Sequence, residues 1–99
     1  MEKQLNKSIL ITGCSTGIGA ALVTEFLKQG FLVFGSIRDK KMEAPLKKKY
    51  GDNFVPLVFD VTNYSQISKA YKKVKLTLKG ANLGILINNA GIAKLGPVE

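Results

Sequence analysis

The chain has 99 residues, enough for one small domain, and its 45% hydrophobic content with 22% charge is that of a globular chain. One cysteine and no histidine exclude, within this sequence, a disulfide framework, a Cys/His metal site and any Ser-His-Asp or Cys-His machinery. The formal charge of +8 admits a polyanionic partner. The lysines, however, concentrate in "KKMEAPLKKKY" and "KAYKKVKLTLK", which read as helices or helix flanks. The expectation is solvated helix faces with a bias toward a phosphate-bearing ligand, and neither a nucleic-acid nor a membrane partner. No apolar run is long enough to span a bilayer, and "MEKQLNKS" lacks the pattern of a signal peptide, so a cytoplasmic location is expected.

In chain order, Ser8–Thr12 is a short apolar run that reads as a central strand buried on both faces. Gly17–Gln29 has helical spacing, with Ile18, Ala21, Leu22 and Phe26 on one face and Gly30 as its stop. Phe31–Ile37 is a second buried strand. The lysine-rich stretch after it predicts a short helix in two pieces, because Pro45 suits a first turn better than an interior. Phe54–Val61 is a third strand, placed at or near an edge by Pro56, which cannot donate to a ladder. Thr62 or Asn63 can cap a helix from Tyr64 to Lys79, whose apolar stripe is Ile67, Ala70, Tyr71, Val74 and Leu78 and whose stop is Gly80. Gly84–Gly91 is a fourth strand running into a turn, and "IAKLGPVE" reads as loop.

Alternation of this kind implies an α/β fold with a parallel, doubly wound sheet of Rossmann type, in the partial strand order 3-2-1-4 and ending after the fourth strand. Ligands of such sheets bind outside the carboxyl ends of the strands, where the strand order reverses. Here that is between "TGCSTGIG" (residues 12–19) and "NNAG" (residues 88–91). Gly13 permits a sharp turn, Gly17 lets backbone approach a phosphate at a helix N-terminus, and Gly19 lets the helix pack close to the sheet. Ser15 and Thr16 add hydroxyl donors. The spacing is G-x-x-x-G-x-G, neither the general dinucleotide fingerprint nor the Walker loop.

Thr12-Gly13-x-x-x-Gly17-Ile18-Gly19, Asp60-Val61-Thr62 and Asn88-Asn89-Ala90-Gly91, in that order over essentially the whole chain, resemble the short-chain dehydrogenase/reductase family. The resemblance implies the N-terminal NAD(P)-binding half of such a domain over residues 1–99. It also implies a family chemistry of hydride transfer between a nicotinamide cofactor and a small alcohol or carbonyl. By analogy the residue that selects the cofactor stands at the end of the second strand, where Ile37 cannot bind ribose hydroxyls and Arg38 suits a 2′-phosphate. NADP(H) rather than NAD(H) is therefore expected, with Asp39 the complication: it either repels the phosphate or points away and caps the next helix. Asp60 and Val61 resemble the family's adenine contact. Ala90 and Gly91 leave room for ribose, and Asn89 resembles the asparagine that ties the fourth strand to the first, at Thr12.

The family's catalytic serine and Tyr-x-x-x-Lys pair have no counterpart in the expected position. Tyr71–Lys75 has the spacing but precedes NNAG and sits on the apolar stripe of its helix, so core packing accounts for it. No catalytic residue is assigned. The chain alone is expected not to turn over substrate, which would require the family's C-terminal part, and its fourth strand is expected to be an open edge available for self-association. A non-catalytic dinucleotide-binding module acting with a partner chain, and a basic nucleic-acid-binding domain, remain the other function classes.

Overall fold

A computed structural model describes residues 7–15, 17–60 and 62–88. Strand β1 (Ser8–Ile11) leads into helix α1 (Gly17–Lys28), then β2 (Leu32–Ile37), a single 3₁₀ turn (Lys40–Met42), α2 (Glu43–Tyr50), β3 (Phe54–Val58), α3 (Tyr64–Leu78) and β4 (Ile85–Ile87). The four strands form one sheet in the order β3-β2-β1-β4, all pairs parallel, as the alternation predicts. Strand ends are shorter than expected: the third stops at Val58 and the fourth, within the described residues, spans Ile85–Ile87. Val61, Asn89, Ala90, Gly91 and the "IAKLGPVE" segment lie outside the described residues, as does Thr16.

Alternation along each strand sorts the core into two layers. Ile9, Ile11, Val33, Ile37 and Phe54 face α1 and α2, joined by Val23 and Leu46 from those helices. Leu32, Phe34 and Leu57 face α3, with Ala70 and Leu78. Two helices therefore cover one face and a single helix the other. On that second face Leu86 is 63% exposed, and a cavity of about 470 Å³ opens between α3 and the sheet, lined by Leu10, Phe59, Tyr71, Val74 and Leu83 among others.

The helices correct two of the sequence readings. The stripe of α1 that meets the sheet is centred on Gly19 and Val23, flanked by half-buried Leu22, Phe26 and Leu27, whereas Ile18 is 72% exposed and Ala21 is also exposed. On α3, Tyr71 is 62% exposed and does not fill the core: its ring forms part of the cavity wall, with Lys75 Nζ 5.5 Å from the ring centroid. Asn63, not Thr62, caps α3, accepting from the Gln66 N–H at 3.0 Å. The stop comes one residue before Gly80, at Lys79, which takes a left-handed φ of 52°.

Pro56 marks an edge as expected, and the edge is blocked by more than the proline. The outward-facing carbonyls of Phe54 and Pro56 accept from Lys47 Nζ of α2 (2.7 Å) and Lys73 Nζ of α3 (2.8 Å). A proline on the edge strand, and lysines from the neighbouring helices on its outward carbonyls, oppose its pairing with another chain. The opposite edge, β4, exposes Ile85 and Leu86.

Candidate functional site

The carboxyl ends of the strands converge on the turn that follows β1. Thr12 N–H continues the ladder to Ile87 O (3.0 Å), and its Oγ1 donates to Asn88 Oδ1 (3.1 Å). Among the described residues Asn88 thus links the fourth strand to the first; Asn89, expected to make such a tie, is outside them. Gly13 takes a φ of 64° and Gly17 a φ of 62°, so both use the left-handed region that favours glycine. A Cβ built on Gly17 meets nothing within 4 Å, and the first turn of α1 carries no acidic residue. Among the described residues there is thus room at Gly17 and no carboxylate in the first turn at the positive end of the helix dipole, which fits a dinucleotide phosphate. Ser15 is exposed beside it, and Gly19 is buried against the sheet as expected.

β2 holds this turn in place through residues that the motif does not contain. Gly13 N–H donates to Ser36 Oγ (2.9 Å) and Cys14 N–H to Ser36 O (3.0 Å). Cys14 itself is fully buried, and burial pushes its thiol up to about 11, so it remains a protonated packing group at neutral pH. Its sulfur occupies the space that Gly35 leaves free. Ser36 escapes the sequence reading because its partners lie 23 and 22 residues away. The one available signal is a serine inside a strand otherwise apolar, since a buried hydroxyl needs a partner.

At the end of β2, Ile37 is 2% exposed and belongs to the core, while the Arg38 side chain is 82% exposed. Asp39 caps the next turn, as one of its two readings has it: its Oδ1 accepts from the Lys41 N–H (2.9 Å) of the 3₁₀ turn, and the residue stays exposed. At the end of β3, Asp60 Oδ1 accepts from both the N–H (2.9 Å) and the Oγ1 (2.8 Å) of Thr62, and Oδ2 faces Arg38 Nη2 at 3.2 Å. The Thr62 hydrogen bonds come first in holding the Asp60 carboxyl below its ordinary value, with Arg38 adding to them. Asp60 N–H donates to Gln66 Oε1 (2.8 Å), a second residue missed in the sequence. Its signal is the Asn-x-x-Gln spacing of a capping box, though here the amide reaches back to Asp60.

Gly13, Ser15, Gly17, Ile18, Gly19, Arg38 and Asp60 thus all lie along the carboxyl ends of the strands or the first turn of α1. Tyr71 and Lys75 do not: they sit in the second half of α3, beside the cavity.

This geometry agrees with what the chain resembles. Residues 7–99 match the model of the short chain dehydrogenases, and the chain belongs to that oxidoreductase family. It is 41% identical over 90 residues to an NADPH-dependent 3-dehydrocapnine reductase of Ornithobacterium rhinotracheale, across 91% of this chain and 32% of that protein. A 3-ketoacyl-(acyl-carrier-protein) reductase from Brucella melitensis, solved in complex with NADH, superposes with a TM-score of 0.71 at 25% identity, over 81% of this chain and 32% of its own. A short chain dehydrogenase from Bacillus anthracis gives a TM-score of 0.74 at 28% identity, over 86% and 36%. The chain spans about a third of the length of these relatives.

Proposed function

We propose that the chain is the NADP(H)-binding portion of a short-chain oxidoreductase that interconverts alcohols and carbonyls, and that it does not catalyse this reaction alone. The observation that carries the choice of cofactor is the end of β2. Ile37 is committed to the core, one oxygen of the exposed Asp39 carboxylate is taken by its own 3₁₀ turn, and Arg38 presents an exposed guanidinium beside them. An NAD(H) site of this type needs a carboxylate there for the ribose hydroxyls, whereas a guanidinium suits a 2′-phosphate. The NADPH-dependent relative supports the same choice.

In this reading the bare N-terminus of α1, with Gly13, Ser15, Thr16, Gly17, Ile18 and Gly19, receives the pyrophosphate. Asp60 and Val61 flank the adenine, Ala90 and Gly91 leave space for the ribose, and Asn89 ties the fourth strand to the first. Bound there, the nicotinamide dinucleotide supplies or accepts the hydride. The residues of this chain bind and orient it, and the acid/base groups and the substrate pocket come from the rest of the complete fold. In titrations of the 99-residue chain followed by calorimetry, NADPH binds more tightly than NADH. Arg38→Ala weakens NADPH by about tenfold or more, the loss of a charge-assisted contact, and leaves NADH little changed. Equal or tighter binding of NADH to the unaltered chain refutes the reading.

The open β4 edge belongs to the same proposal as the place where a further strand pairs. In the 99-residue chain by itself, that edge and the adjoining apolar face drive self-association. Sedimentation velocity should show a concentration-dependent rise in mass that Leu86→Lys suppresses; a monomer at all concentrations would count against it.

A further inference from the structure

The Arg38–Asp60 ion pair joins the ends of β2 and β3, and its two partners are not equally fixed. Asp60 is anchored on every side. The Phe59 N–H extends the ladder to Ile37 O (3.0 Å), the Asp60 N–H is held by Gln66, and Oδ1 is taken twice by Thr62. Oδ2 is the oxygen left to face Arg38. Arg38, by contrast, is a long side chain, 82% exposed, whose ion pair among the described residues is this one. The contact uses Nη2 alone, at 3.2 Å. A guanidinium carries five N–H donors in a rigid fork, so the other edge stays available to a ligand.

We propose, resting on the NADP(H) reading above, that Asp60 is a positioning residue for Arg38: it holds the guanidinium by one nitrogen so that the remaining donors meet the 2′-phosphate. A flexible arginine in water loses side-chain entropy when it clamps a phosphate, and an anchor already in place reduces that loss. The opposite effect has an equally definite physical basis. Asp60 is an anion close to where a phosphate arrives, and removing it would strengthen binding by relieving repulsion. The two effects have opposite signs, so one measurement decides between them. A carboxylate is ionised at neutral pH, and the Thr62 hydrogen bonds lower the Asp60 carboxyl further, so the anchor is an anion there.

The test uses 2′,5′-ADP and 5′-AMP, which share adenosine and the 5′-phosphate, so their affinity ratio isolates the 2′-phosphate and cancels any adenine contact of Asp60. Calorimetry on the unaltered chain should favour 2′,5′-ADP. Asp60→Asn, which keeps the shape and an acceptor for Thr62, should reduce that ratio by about two- to fivefold, the range of an exposed ion pair. In an Arg38→Ala background the same change should no longer reduce the ratio. A ratio that rises or stays constant in Asp60→Asn overturns the proposal, whereas an unaltered chain with no preference for 2′,5′-ADP overturns the NADP(H) reading and the proposal with it. The anchor is also testable without ligand: the heteronuclear NOE of the Arg38 Nε–Hε group should fall in Asp60→Asn, and an unchanged value again overturns it.

Discussion

Gly35→Ala lowers the stability of the chain by about 1–3 kcal/mol, the usual range for adding a methyl group to a filled core. A Cβ at this position would stand 2.6 Å from Cys14 Sγ and 2.6 and 2.9 Å from two atoms of the Phe54 ring. Neither neighbour can retreat cheaply. Both are fully buried, and the Phe54 ring is backed by Tyr50 at a centroid distance of 4.9 Å. Cys14 belongs to the turn whose N–H groups are held by Ser36, so pushing its sulfur outward also displaces the turn that precedes α1. The measurement is a urea melt in which the midpoint falls while the slope stays the same. Because the clash is shared between two residues, Cys14→Ala in the Gly35→Ala background should recover part of the loss, giving coupling of about 1 kcal/mol between the two sites. A loss below about 0.5 kcal/mol, the scatter of ordinary surface substitutions, would show that the core yields at this point.

Gly35 also shows where sequence reading stops. The strand order was legible because buried apolar runs alternate with helical stretches, and parallel pairs with right-handed crossovers leave few arrangements. Pro56 gave the edge strand because a missing N–H has one tolerable place in a sheet. The lysines that complete the blockade of that edge were visible as residues, but their partners, the Phe54 and Pro56 carbonyls, were not. In α1 the stripe was displaced because "GIGAALVTEF" is apolar or small nearly all the way round. A stripe counted from large side chains leaves out Gly19, which the glycine motif alone sets close to the sheet and which is buried. Tyr71 was misplaced for a different reason: a residue with an apolar ring and a polar tip fits the edge of a stripe as well as its centre.

The candidate site divides along the same line. Its local part, the glycine spacing from residue 13 to 19, is a property of consecutive residues and was readable. Its non-local part was not: Ser36 beneath Gly13, and Asp60 against Arg38, are pairs 23 and 22 residues apart. Asp39 falls between these cases. Its sequence position admits both alternatives, and only the structure shows the cap, 2.9 Å from the Lys41 N–H.

Gly17 and Gly35 are both glycines of this neighbourhood, yet opposite outcomes are expected from the same substitution. Gly17→Ala should leave a folded chain that has lost NADPH binding by about tenfold or more. Its φ of 62° lies in the left-handed region, so an alanine there costs about 1–2 kcal/mol. Beyond that local backbone cost no clash with the rest of the fold is added among the described residues, because the new Cβ meets nothing outside its own turn within 4 Å. That empty volume lies at the mouth of α1, where a pyrophosphate must come within hydrogen-bonding distance of backbone N–H groups, and a methyl group prevents the approach. Gly80→Ala is the matched control. Gly80 also has a positive φ, 91°, with nothing within 4 Å of its Cβ position, but it lies beyond the far end of α3. It should share the loss of stability and keep the affinity for NADPH. Melting curves and NADPH titrations on the two variants separate backbone strain from ligand exclusion. If Gly17→Ala binds NADPH as the unaltered chain does, the phosphate does not sit at this helix. If Gly80→Ala loses affinity equally, the effect of Gly17→Ala reports a weakened fold and not a blocked site.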